Sequence, residues 1–243
     1  MKTLTFAKRT AKEIYRDPVN LFFGLGFPII ILLLLSAIQA NIPVSLFEIE
    51  QLAPGIAVFG LSFMTLFCGS LVAKDQETAF LQRLYTTPMT AVNFIAGYGS
   101  PLLIMALAQG VFCYLTAVFL GLPVTANLLL AVPALLPVAL LFVSLGLLFG
   151  SILNSKQVGG ICGALLTNLT AWLSGIWFDL ELVGGSFQRV ANLLPFVHAV
   201  KWEQAVLSGQ IVDGVGDLFW VLGYGIAVTL TAVFLFLRQM KQA

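Results

Sequence analysis

The sequence predicts an all-α integral membrane protein with six transmembrane helices, an N-terminal interfacial amphipathic helix and short re-entrant helices between spans five and six. Three observations carry that prediction. Of 243 residues, 59% are hydrophobic and 9% charged, against roughly a quarter charged in a soluble domain. Mean hydropathy is +0.99. The charges are clustered, which leaves uncharged stretches long enough to cross a bilayer.

Residues 1–17 form the first unit, a helix lying on the membrane. Leu4, Ala7, Ala11, Ile14 and Tyr15 share one arc at 3.6 residues per turn, and Lys2, Lys8, Arg9, Lys12 and Arg16 occupy the neighbouring faces, with Phe6 off the stripe. Residues 18–243 form the six-span domain. Asp17-Pro18 signals a helix start, since the carboxylate can cap free N–H groups and proline at the first position gives up a donor that had no partner.

Span one follows, with Leu21 to Ile38 its densest apolar part, and a loop over Asn41–Gln51 carries Glu48 and Glu50. Span two runs from about Leu52 to Ala73, where Lys74 ends it. A polar insertion, 74–90, comes next. The 72 residues from Leu84 to Ser155 hold no charge and divide at 121–127 into span three (93–120) and span four (128–150). The turn 151–157 leads to span five (158–178). Residues 179–217 hold apolar pieces too short to cross and are expected to fold back into the membrane edge. Span six is Leu218–Leu237.

Six spans place both termini on one side. Ten of the twelve Lys and Arg residues then fall on that side, which the positive-inside rule makes cytoplasmic. No charge lies in the middle of a proposed span, which argues against a proton-relay pump or an ion-coupled carrier. Gln109 and Asn168 are the polar side chains at depth, suited to helix-to-helix hydrogen bonds or to a pathway. Gly146-Leu-Leu-Phe-Gly150 and Gly159-Gly-Ile-Cys-Gly163 place small residues one turn apart, as close helix packing needs.

No P-loop motif, His-Glu-x-x-His or Gly-x-Ser-x-Gly occurs, and Gly184-Gly-Ser186 with His198 is a poor hydrolase candidate. With one histidine and three cysteines in apolar runs, neither a metal site nor a disulfide framework is expected. Phe80, Leu81, Leu84 and Tyr85 place an apolar face on the 74–90 loop, flanked by Asp75, Glu77 and Arg83, and this reads as a docking surface.

Several stretches resemble the membrane subunit of ABC-2 type transporters. They are Tyr15-Arg-Asp-Pro18 with Phe27-Pro28, and Leu52-Ala-Pro-Gly55 with Phe63. Further matches are Asp75-Gln-Glu77 with Leu81-Gln-Arg-Leu84 and Thr87-Pro-Met89, Leu173-Ser-Gly-Ile-Trp-Phe178, and Leu194-Pro-Phe-Val-His198 with Gln204. The sequence departs from the family pattern at Gln76 and at Ala79-Phe80.

The resemblance implies a permease of the cell membrane, with both termini cytoplasmic. It would work as a pair with a second copy or homologue and be driven by separate ATPase subunits that hold ATP and Mg. On the same resemblance the chain would bind no cofactor of its own and would not itself be an enzyme. Asp75, Glu77, Phe80, Leu81, Arg83, Leu84, Tyr85 and Pro88 would form the ATPase-coupling loop. Trp177, Phe178, Pro195 and His198 would shape an external re-entrant gate. The apolar spans favour a hydrophobic or amphiphilic cargo, of drug, lipid or antibiotic type, moved outward by alternating access. A lipid-linked polysaccharide, or a self-contained channel or carrier, is the alternative.

Overall fold

The computed structural model describes residues 2–78, 80 and 90–242. Helix α1 is Lys2–Tyr15. Helix α2 follows as Pro18–Leu21, a π-helical turn at Phe22–Gly26, and Phe27–Gln39. Asp17 caps it as the sequence predicts, accepting the Asn20 backbone N–H at 3.1 Å. The π turn sits just ahead of Pro28, whose ring removes a backbone donor and crowds the preceding turn.

Helices α3 (Ile49–Glu77), α4 (Ala91–Phe119) and α5 (Ala126–Ile152) are long and unbroken. Helix α6 is composite: Ser155–Val158, a π-helical stretch at Gly159–Leu166, and Thr167–Leu173. Three short helices come next, α7 (Leu180–Val183), α8 (Gly185–Leu193) and α9 (Pro195–Ser208), before α10 (Ile211–Gln242). No strand occurs among the described residues.

Five of these helices are long and apolar enough to cross a membrane: Pro18–Gln39, Ile49–Glu77, Ala91–Phe119, Ala126–Ile152 and Ile211–Arg238. The expected fifth span is the broken α6. The last span begins at Ile211 rather than Leu218, because Asp213 suits a helix N-terminus and Asp217 finds a partner in His198. Span two continues past Lys74 to Glu77, because Asp75 is neutralised inside the fold.

Helix α3 is the axis of the bundle, and 83% of its apolar window is buried. It packs chiefly on α5. Gly146 and Gly150 allow that contact: a Cβ on Gly146 would stand 2.7 Å from the Thr65 carbonyl oxygen, and one on Gly150 2.7 Å from that of Gly69. Thr65 Oγ1 donates to the Phe142 carbonyl at 2.7 Å across the same seam. The second glycine pair is different, since Gly159 has open space around it and the nearest neighbour of a Cβ on Gly163 would be the flexible Leu66 side chain, at 3.2 Å.

Outward faces are apolar. Phe219, Ile226, Leu230 and Phe234 of α10 and Ile104, Leu115 and Phe119 of α4 are exposed. In water such a surface would aggregate; against hydrocarbon it is the expected one.

Candidate functional site

One end of the bundle gathers α1, the C-terminal ends of α3 and α5, and the first turns of α4 and α6. Arg9 of α1 donates two hydrogen bonds, 2.5 and 2.7 Å, to the two carboxylate oxygens of Asp75. Tyr98 of α4 donates to the same carboxylate at 2.6 Å. Asp75 is almost completely buried, and this three-way satisfaction is what makes its burial tolerable. Arg9 also stands 3.0 Å from Glu13, one helical turn on. Burial pushes the Glu13 carboxyl up, against the pull of Arg9.

Phe80 lies over the Arg9 guanidinium, 4.2 Å from ring centroid to Cζ. Phe6, off the apolar stripe in the sequence, is the anchor of α1. It is buried, edge-on to Phe94 and Tyr98, and pressed onto Gly97, where a Cβ would come 2.1 Å from its ring. Helix α1 therefore has two working faces. Phe6, Thr10 and Ile14 are buried, while Leu4, Ala11 and Tyr15 are exposed beside an apolar groove of about 480 Å³ that α2 and α4 complete.

Glu77 makes a different tie. Its carboxylate accepts the Ser155 backbone N–H and hydroxyl, each at 2.8 Å, at the start of α6. Asn154 and Gln157 form a capping box on the same turn. The two acidic residues that lead into the 74–90 segment are thus bound to other elements: Asp75 to α1 and α4, Glu77 to α6. Leu81, Arg83, Leu84, Tyr85 and Pro88 lie outside the described residues.

At the opposite end, a vestibule of about 640 Å³ is walled by Ser45–Leu52, Ser174–Leu182 and one face of α9. Trp177 and Phe178 line it, and so do Asp179, Gln188, Asn192, Lys201 and Gln204. Trp177 is held edge-on to Phe59, and Phe178 leans on Phe187. Pro195 is buried at the start of α9, where its missing N–H costs nothing.

His198 is not part of the vestibule lining. Its Nδ1 lies 2.5 Å from an Asp217 carboxylate oxygen of α10 and its Nε2 2.9 Å from the Asn192 carbonyl of α8. Trp220 and Tyr224 also donate to the α8 terminus, at the Leu193 carbonyl. His198 is part of a clamp joining α8, α9 and α10.

Gln109 is buried and donates to the Ala57 carbonyl of α3 at 3.3 Å, while its Oε1 has no hydrogen-bond partner among the described residues. Asn168 is on an outward surface and bonds the Ala164 carbonyl of its own helix. The buried acid that sequence reasoning missed is Glu203. It is wholly buried, accepts the Tyr114 hydroxyl at 2.6 Å, and leaves Oε2 without a partner among the described residues. Its place in an apparently external segment hid it, and the signal available was an isolated acid between Trp202 and apolar residues one turn away.

The sequence profile of the family described as ABC-2 type transporter matches residues 1–207. The chain is 30% identical over 213 residues to the transport permease ycf38 of Porphyra purpurea, covering 83% of this chain and 72% of that protein. It is 23% identical over 199 residues to nodulation protein J of Rhizobium leguminosarum bv. viciae, covering 82% and 75% respectively. With its all-helical bundle and five helices able to cross a membrane, the chain belongs to the ABC-2 type transporter family and is a membrane transport permease.

Proposed function

We propose that the chain is the membrane-spanning half of an ATP-driven exporter in the cell membrane. Two such subunits would form the pathway, and separate ATPase subunits would dock at the cytoplasmic end. The observation that carries this reading is the Arg9–Asp75–Tyr98 junction, because it joins the interfacial helix, the root of the 74–90 loop and α4 in one charge-assisted unit. A push on that loop would move α1 and α4 together, and Glu77 would pass it to α6.

In this reading α6 supplies the sixth crossing; its nineteen residues from Ser155 to Leu173 reach ~28 Å at 1.5 Å each. Both termini are then cytoplasmic, as the distribution of Lys and Arg favours. The cargo is hydrophobic or amphiphilic, of drug, lipid or antibiotic type, and leaves by alternating access. The apolar groove between α1, α2 and α4 supports this, since it is shaped for hydrocarbon and is rimmed by Lys8. A lipid-linked polysaccharide is a second reading, favoured by the polar vestibule side chains Asp179, Gln188, Asn192 and Lys201.

Purification in mild detergent from the native host tests the proposal. A stoichiometric P-loop ATPase that co-purifies, and whose hydrolysis drives efflux in proteoliposomes, is the expected result. ATP-independent flux from the purified chain alone would replace it with a self-contained channel or carrier.

A further inference from the structure

Helix α9 is inserted among α3, α5 and α10 at the vestibule end, yet its fourteen residues are too few to cross a membrane. Trp202 Nε1 donates to the Ala134 carbonyl of α5, Gln204 reaches the Gln51 carbonyl of α3, and Phe196 stacks on Phe142. Glu203 lies in the middle of these contacts, with no exposed surface. Among the described residues a carboxylate there has one donor, the Tyr114 hydroxyl, for about four lone-pair sites, and its Oε2 has no partner.

Among the described residues, the surrounding elements bring no compensating charge to it. Helix α5 has no ionisable side chain, and α4 offers only Tyr98, Cys113 and Tyr114. Helix α3 carries Glu50 in its first turn, the buried Cys68, and otherwise Lys74, Asp75 and Glu77 at the far end. On α10, Asp213 and Asp217 are acidic, and Asp217 is engaged with His198. On α8 and α9 the remaining charges are Arg189 and Lys201, and Lys201 lines the vestibule.

We propose that Glu203 is a proton-binding site: as a neutral carboxylic acid it allows α9 to lie in the bundle, and loss of its proton expels α9 and reshapes the vestibule. The ligand is a proton taken from and returned to the solution at the vestibule end, with no other reactant. Val197, Val200, Lys201 and Gln204 of the same helix line the vestibule, so movement of α9 changes its walls directly. Burial pushes the Glu203 carboxyl up to about 8, against the downward pull of the Tyr114 hydroxyl. An expelled, solvated carboxyl returns to the ordinary range, so the inserted position is fully favoured below that range and loses favour as pH rises through about 8.

The test uses the full chain in nanodiscs, read by infrared spectroscopy of the protonated carboxyl C=O stretch and by hydrogen exchange of α9 amides corrected for intrinsic pH dependence. Wild type is expected to show the band at neutral pH and to lose it, with α9 protection, at alkaline pH. Glu203→Gln, which mimics the neutral acid, lacks the band and keeps α9 protected throughout. Tyr114→Phe removes the donor that favours the charged form and moves both transitions to higher pH.

A wild-type spectrum with no such carboxyl band, or α9 exchange that follows pH equally in wild type and Glu203→Gln, overturns the proposal. Should Glu203→Gln fail to fold, an unshifted transition in Tyr114→Phe does the same. Only the side from which the proton comes rests on the proposed membrane orientation. A pH jump outside sealed vesicles reads that side separately, so failure of the orientation is distinguishable from failure of the site.

Discussion

Arg9 and Asp75, separated by 66 positions in the chain, meet through a two-pronged hydrogen-bonded ion pair at the end of the bundle where α3 runs out. Neither residue is at home alone. Asp75 is buried, and Arg9 is held by Phe80 on one side and Glu13 on another. The pair turns α1 from a helix resting on the lipid into a part of the protein core.

Arg9→Lys keeps the charge but loses the planar fork that engages both oxygens. A double-mutant cycle over Arg9 and Asp75, read from thermal unfolding in nanodiscs, should give a coupling energy of about 2 kcal/mol. Coupling near zero would mean that α1 is held by Phe6 packing alone.

Gly97→Val should separate α1 from α4, since its Cβ would enter the Phe6 ring. Hydrogen exchange over α1 should rise while that of α5 and α10 stays unchanged. If α1 stays protected, Phe6 has another seat and the anchor assignment fails.

Gly150→Val should destabilise the whole bundle by about 1–3 kcal/mol, because the added atoms meet the α3 backbone at Gly69, which cannot move aside like a flexible side chain. Gly159→Ala, where nothing lies within 4 Å, should be close to neutral. Comparing their melting temperatures checks both, and equal effects would remove the distinction between the two glycine pairs.

His198→Ala should loosen α8 by removing its tie at the Asn192 carbonyl, and with it the link of α9 to Asp217 of α10. The expected readout is faster exchange of the α8 amides, with α9 still protected through Trp202 and Phe196. Unchanged α8 exchange would show that Trp220 and Tyr224 hold it without the histidine.

The spans were legible because membrane crossing imposes length and polarity together, so Asp17-Pro18, Gly121-Leu-Pro and the uncharged runs mark their ends within a few residues. Span six was placed late because Asp213 and Asp217 read as loop residues until Asp217 is paired with His198. Helix α6 shows the limit of periodicity, since a π stretch shifts the register without changing composition. At the site, Asp75 and Glu77 could be picked out as acids beside a wet loop, but not as inward ties. Their partners Arg9, Tyr98 and Ser155 lie tens of residues away in sequence. Glu203 was invisible for the same reason: its burial comes from α3, α5 and α10 packed on α9 and from Tyr114 of α4, not from its neighbours in the chain.

The most direct test of the account is ATP hydrolysis and cargo efflux measured together in proteoliposomes holding the chain with its ATPase, comparing wild type with Leu84→Asp. The account predicts continued membrane insertion and continued hydrolysis, with efflux lost because the charged side chain would disrupt the proposed apolar docking face of the 74–90 segment. Efflux at the wild-type rate per ATP hydrolysed would contradict it.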